Sequence, residues 1–140
     1  MCTDCLFGIY FYSYAKNVKQ AEEQANWVKE ALKGYEIDLP IAFDWESWSS
    51  FNSAGMSLYT INKVANTFLD KLQEEGYKGM LYSSKNYLEK IWYPTKHETW
   101  LAQYNTKATY KGVYSIWQMS SVGRVNGIKG DVDIDIMYEK

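Results

Sequence analysis

Short apolar runs alternate with stripes of helical period along most of this chain, and few folds accept that order. Leu6 to Tyr12 is a dense apolar and aromatic run of the kind that forms a buried strand. Val18, Ala21, Ala25, Val28 and Leu32 then recur at helical spacing, with Glu22, Glu23, Lys29 and Glu30 on other faces, which predicts an amphipathic helix ended by Gly34. Pro40 to Glu46 predicts the next strand. From about Ser57, the residues Leu58, Ile61, Ala65, Phe68 and Leu72 repeat the helical pattern up to Gly76. Gly79 to Ser83 reads as a third strand, Ser84 as the cap of a short helix that ends before Pro94, and Thr99 to Tyr104 as a fourth strand. Beyond it the helical pattern stops. Tyr114 to Met119 and Val132 to Ile136 are strands joined by a turn-rich segment holding Gly123, Gly127 and Gly130.

The order β-α-β-α-β-α-β-β-β belongs to the α/β class, with parallel strands and helices packed outside them. Continuously apolar strands agree with a sheet covered on both faces. Two architectures fit: an open doubly wound sheet or a (β/α) barrel. A nucleotide-binding sheet needs a glycine-rich turn after its first strand, and Ser13-Tyr14-Ala15-Lys16 stands there instead. The expectation is a partial (β/α) barrel of about six strands, one domain over residues 1–140.

Charge and composition remove several function classes. Fifteen basic and 17 acidic residues leave a net charge of −2 with no basic run, so a nucleic-acid partner is not expected. No apolar stretch is long enough to span a bilayer, and the amino terminus shows no basic region or small-residue cleavage site of a signal peptide. Cys2 and Cys5 form a C-x-x-C, but His97 is the only histidine and no second cysteine pair exists, so a four-ligand zinc site cannot be assembled from Cys and His, and no cofactor is expected. A lone histidine in a loop also weakens any Ser/His/Asp reading. Aromatic residues make up 17% of the chain, more than a core of this size requires. Rings with polar edges suit a groove that binds sugars.

Asp44-Trp45-Glu46 ends the second predicted strand with two carboxylates. Residues i and i+2 of a strand share a face, which places these Cα atoms roughly 6 to 7 Å apart. Ala42 shares their parity, so that face would begin small and finish acidic, at the strand end where barrels carry their chemistry. Trp45 would face the helices. The residues alone leave open a solvated strand end, a pair of ligands for a hard cation such as Mg²⁺, or catalysis. Tyr12, Tyr82, Tyr104 and Trp117 stand at or near strand ends where rings could stack on sugars, and Gln103 and Gln118 could read hydroxyl or acetamido groups.

Five segments in sequence, Ile41 to Glu46, Gly79 to Ser83, Trp100 to Tyr104, Ile116 to Gln118 and Gly127 to Asp133, resemble in order and spacing the glycoside hydrolase family 25 lysozymes. The resemblance implies an irregular (β/α)5(β)3 barrel and a muramidase that cleaves the β-1,4 bond between N-acetylmuramic acid and N-acetylglucosamine in the peptidoglycan glycan strand. It implies Glu46 as the acid, with a pKa raised by an apolar setting, and Asp44 as an ionised partner that stabilises charge or orients the substrate's N-acetyl group. It selects Asp133 among the alternating Asp131, Asp133 and Asp135 to complete the acidic cluster. It implies a secreted or wall-acting protein. It also implies that the chain begins near the family's third strand, without the first two and their aspartate, for which Asp4 is no substitute. Exposed barrel edges would then favour a homo-oligomer. The alternative is a non-catalytic peptidoglycan-binding module; a metal-dependent hydrolase using Asp44, Glu46 and Asp133 is a third reading.

Overall fold

Local side-chain chemistry sets where each helix begins. In a computed structural model describing residues 5–46 and 52–139, Asn17 Oδ1 accepts a hydrogen bond from the Gln20 amide at 2.9 Å and opens α1 (Val18–Ala31). Ser57 does the same for Thr60 at 3.0 Å and opens α2 (Leu58–Glu74), and Ser84 for Tyr87 at 3.2 Å, opening α3 (Lys85–Lys90). Each satisfies an amide that the first turn leaves without an intrahelical acceptor. Gly34 and Gly76, at φ 85° and 95°, turn the chain away after α1 and α2. Ser57→Ala is expected to cost about 1 kcal/mol of unfolding free energy in urea titration.

Six strands follow chain order across one sheet: β1 (Tyr10–Tyr12), β2 (Ile41–Asp44), β3 (Gly79–Ser84), β4 (Glu98–Ala102), β5 (Ile116–Gly123) and β6 (Val132–Met137). The first five are parallel and β6 returns antiparallel to β5. This is the α/β partial barrel expected from the alternation, and helices cease after β4 among the described residues. Cys2, Asp4 and the loop residues Ser47 to Phe51 lie outside the described residues.

Two elements differ from expectation for visible reasons. Leu6 to Ile9 stay outside β1 because Phe7 is engaged elsewhere: its carbonyl accepts from the amides of Asp38 and Leu39, and its amide donates to Asp38 Oδ2 at 2.7 Å. β5 runs on to Gly123, past the predicted end at Met119, by way of register shifts around Ser120 that let it keep pairing with β6.

The sheet separates two packing layers by strand parity. Ile41, Phe43 and Trp45 point to the helices, where Phe43 and Phe11 each lie 5.3 Å from the Phe68 ring and Trp45 meets Trp92 edge-on at 5.9 Å. Trp45 is 1% exposed, the structural residue that its parity predicts. Ala42 points the other way and joins Met80, Tyr82, Ala102 and Ile116 in a smaller cluster on the inner face, with Trp100 against it. None of the described helices is long and apolar enough to cross a membrane.

Candidate active site

Asp44 is the last residue of β2 and sits on the inner face, in register with Tyr12 of β1 and Tyr82 of β3. A cavity of about 140 Å³ opens there, lined by Tyr10, Asp44, Tyr82, Trp100, Gln118 and Asp133. Five parallel strands and the returning β6 therefore bring two carboxyls, three aromatic rings and one carboxamide to the same small volume. Barrels concentrate their chemistry at this end of the strands.

Asp44 is 6% exposed, and its Oδ1 has no hydrogen-bond partner among the described residues. A buried carboxylate oxygen without a donor is costly, because neither water nor protein stabilises the charge it carries. Burial, and secondly the nearby charge of Glu46, push the Asp44 carboxyl up to about 7. Asp44 is thus more easily protonated than an ordinary aspartate, where the resemblance implies an ionised one. Glu46 itself is exposed at the end of the described segment, so the apolar setting expected around it is not formed by the described residues. Its charge reaches the cavity nonetheless: after burial, it is the next cause that raises the Tyr12 hydroxyl.

Gln118 is held by two phenols. Tyr82 Oη donates to its Oε1 at 2.6 Å and Tyr104 Oη donates to the same oxygen at 2.9 Å. With the carboxamide oxygen taken, its amide end is left as a donor. Burial and the Tyr104 hydroxyl raise the Tyr82 phenol well above its ordinary value, with smaller contributions from Glu46 and Asp44, so it remains a proton donor in the network.

Of the remaining expected residues, Asp133 reaches the cavity from β6, while Tyr12 pairs in register with Asp44 without lining the cavity, its ring 5.1 Å from that of Tyr14. Tyr104 is exposed at the rim through its bond to Gln118. Trp117 and Gln103 do not reach the cavity. Trp117 lies on the helix side of β5, buried in the outer core, with Nε1 donating to the Gln103 carbonyl at 2.9 Å. Gln103 closes its own loop: its Oε1 accepts from the Thr109 amide at 2.9 Å and its Nε2 donates to Thr109 Oγ1 at 2.7 Å.

Tyr10, Trp100 and Asp135 were not foreseen. Trp100 Nε1 donates to Asp135 Oδ1 at 2.8 Å, bridging β4 to β6 under the cavity. Burial raises the Asp135 carboxyl, against the lowering effect of the Trp100 donor, and the charge of Asp133 adds to the rise. Parity was the available signal: each of the three stands two residues from an inward-facing position of its own strand, Tyr12, Ala102 and Asp133. Among the described residues no group of three His, Cys, Asp or Glu side chains stands close enough to hold a metal ion.

A curled α/β sheet whose five parallel strands gather carboxyls at their carboxyl ends, where the antiparallel β6 begins, defines a protein of the (β/α)-barrel class. Residues 2–128 match the family model of the glycosyl hydrolases family 25, and the chain belongs to that family. Three solved structures share its fold. The CTP1L endolysin is 20% identical with a TM-score of 0.75, over 96% of this chain and 47% of that one. The catalytic domain of endolysin ply40, from bacteriophage P40 of Listeria monocytogenes, is 23% identical at a TM-score of 0.74, over 95% and 68% respectively. GHIP, a glycosyl hydrolase 25 of Streptococcus pneumoniae, is 24% identical at a TM-score of 0.76, over 94% and 58%. The chain thus spans about half the length of the CTP1L endolysin. No curated protein matches the sequence.

Proposed function

We propose that this chain is a peptidoglycan hydrolase of the muramidase type, acting on the cell wall with Glu46 as acid and Asp44 and Asp133 as its acidic partners. The observation that carries the reading is the buried Oδ1 of Asp44, unpartnered among the described residues, inside a cavity lined by aromatic rings and Gln118. An orphaned acceptor at such a place is completed by a ligand that brings a donor, and the acetamido N–H of an N-acetylated sugar is one. Accepting that hydrogen bond favours the ionised carboxylate, so a bound sugar would draw Asp44 further toward its charged form.

Hydrolysis then follows from the parts. Glu46 donates its proton to the glycosidic oxygen as the C1–O bond breaks, while the acetamido carbonyl oxygen, oriented through the N–H held by Asp44, attacks C1. Water opens the resulting ring, giving a proton back to Glu46 and leaving a new reducing end. Stacking on Tyr10 and Trp100, and donation by Gln118, would position the sugar.

The test is digestion of purified cell walls, followed by borohydride reduction and sugar analysis. Turbidity loss with muramitol as the new reduced end is the expected result, and it should persist in EDTA. Wall binding with no new reducing ends would replace the enzyme by a binding module, and reduced glucosamine ends would move the cut to the other bond.

A further inference from the structure

A second, larger cavity lies on the opposite side of the sheet from Asp44. It measures about 610 Å³, within the range of about 300 to 1,000 Å³ usual for ligand sites, and more than four times the cavity at Asp44. Its floor includes Leu81 and Thr99 on the helix side of β3 and β4. No helix follows β4 among the described residues, so the segment from Trp92 to Lys96 forms one wall and Tyr110 to Ser115, with Tyr138 from the end of β6, forms the other.

The lining is aromatic and polar together. Tyr110, Tyr114 and Tyr138 form a ladder with centroid separations of 6.2 Å and 5.7 Å, and across from them stand Trp92 and Tyr93. Tyr93 is 48% exposed and Tyr138 43%, so two of these rings offer their surface to solvent. The walls are pinned from beneath: the Tyr138 amide donates to the Ser115 carbonyl, the Ser115 amide to the Thr99 carbonyl, each at 2.9 Å, and Ser115 Oγ to Glu98 Oε2 at 2.6 Å. Lys96 Nζ and His97 Nε2 on one side both reach Asp70 Oδ1, at 3.1 Å and 2.7 Å, and Glu98 and Glu139 stand on the other, so the lining presents no cluster of cations.

We propose that this groove is a second glycan-binding site, which holds an N-acetylated pyranose strand away from the cleavage cavity. The match is chemical. A pyranose ring presents C–H faces that stack on tyrosines and a rim of hydroxyls that bond to phenols and carboxylates, and it carries no charge for the two glutamates to oppose. A packing helix would instead need a wide apolar stripe, and the charged rim does not provide one. The inference rests on the wall-hydrolase reading, since a long wall polymer can reach both faces of so small a domain. Held there, the strand would stay near the cleavage cavity between cuts and raise the effective concentration of the next bond.

The test uses chitotetraose as the soluble probe and purified walls as the polymer. In amide chemical-shift mapping, chitotetraose should move Ser115 and Tyr138 as well as Gln118. In a Glu46→Gln background, Tyr93→Ala with Tyr138→Ala should weaken wall binding about fivefold to tenfold, the effect of losing two ring contacts. With Glu46 restored, hydrolysis of short soluble glycan by the double variant should be unchanged. Tyr138→Phe keeps the ring and should restore binding, and Tyr93→Ala alone gives the result if Tyr138→Ala fails to fold. Shifts confined to the Asp44 cavity, or wall binding that ignores both tyrosines, would overturn the proposal. If walls yield no new reducing ends while Ser115 and Tyr138 still respond to chitotetraose, the enzyme reading fails and the second site stands.

Discussion

Replacing Glu46 with Gln should lower the rate of wall hydrolysis about 10³- to 10⁴-fold, the upper part of the range for loss of a general acid, while leaving the fold unchanged. The two halves of that expectation come from the same structural fact. Glu46 follows the last hydrogen-bonded residue of β2 and is exposed, so the isosteric amide removes no packing and should move the unfolding free energy by less than about 0.5 kcal/mol. Gln cannot supply the proton that the leaving oxygen needs, and about 4 to 5.5 kcal/mol of barrier returns. Steady-state kinetics on soluble glycan should place the loss in kcat with KM little changed, because the proton is transferred only as the bond breaks. An unaltered kcat would remove Glu46 from the acid role and turn attention to Asp44, the carboxyl that the free protein holds up at about 7.

Much of this architecture was legible because it depends on periodicity. The helical stripe Ala21, Ala25, Val28 is the buried face of α1, and Asn17, Ser57 and Ser84 stand at the helix starts with short polar side chains suited to capping. Strand parity separated Ala42 and Asp44 from Phe43 and Trp45. The same rule, carried along β5, would have assigned Trp117 to the helix side, since Gln118 faces inward and its neighbour must face out. Gln103 was beyond such reasoning. It follows β4, and its side chain is spent on Thr109, a loop closure that only three-dimensional proximity reveals.

Polar groups inside the core were the least legible of all. Asn62 lies within α2, where sequence reading finds a helix position of no special kind, yet its Nδ2 donates to the Ile91 carbonyl and its Oδ1 accepts from the Tyr93 amide, each at 2.8 Å. That side chain ties α2 to the segment leaving α3. It satisfies backbone groups which the end of a short helix would leave bare. The upward shift of Asp44 is illegible in the sequence for a related reason. Spacing says that two acids share a face, but only burial decides which of them loses its solvent, and β2 takes Asp44 under cover while Glu46 stays out.

Asp44→Asn should make the protein more stable and less active, and the stability gain should depend on pH. In the unfolded chain Asp44 ionises near 3.8 and in the folded protein near 7, so between those values the folded state binds the extra proton. Unfolding free energy therefore falls as pH rises through this window, and the penalty is complete above about 7 and absent below about 3.8. Carrying one carboxyl over that span amounts to about 4 kcal/mol, at about 1.4 kcal/mol for each tenfold change in proton affinity. Asn carries no charge at any of these values. The variant should match the parent near pH 4 and exceed it by about 2 to 4 kcal/mol at pH 8.5 in urea titrations, and a difference that stays constant across pH would refute the burial of a charge at this place. Hydrolysis should fall about 10²-fold or more in the same variant, since a neutral amide oxygen holds the acetamido N–H less strongly and cannot offset positive charge developing at C1. A protein that gains stability by losing one oxygen's charge, and loses turnover with it, is keeping that charge for its substrate.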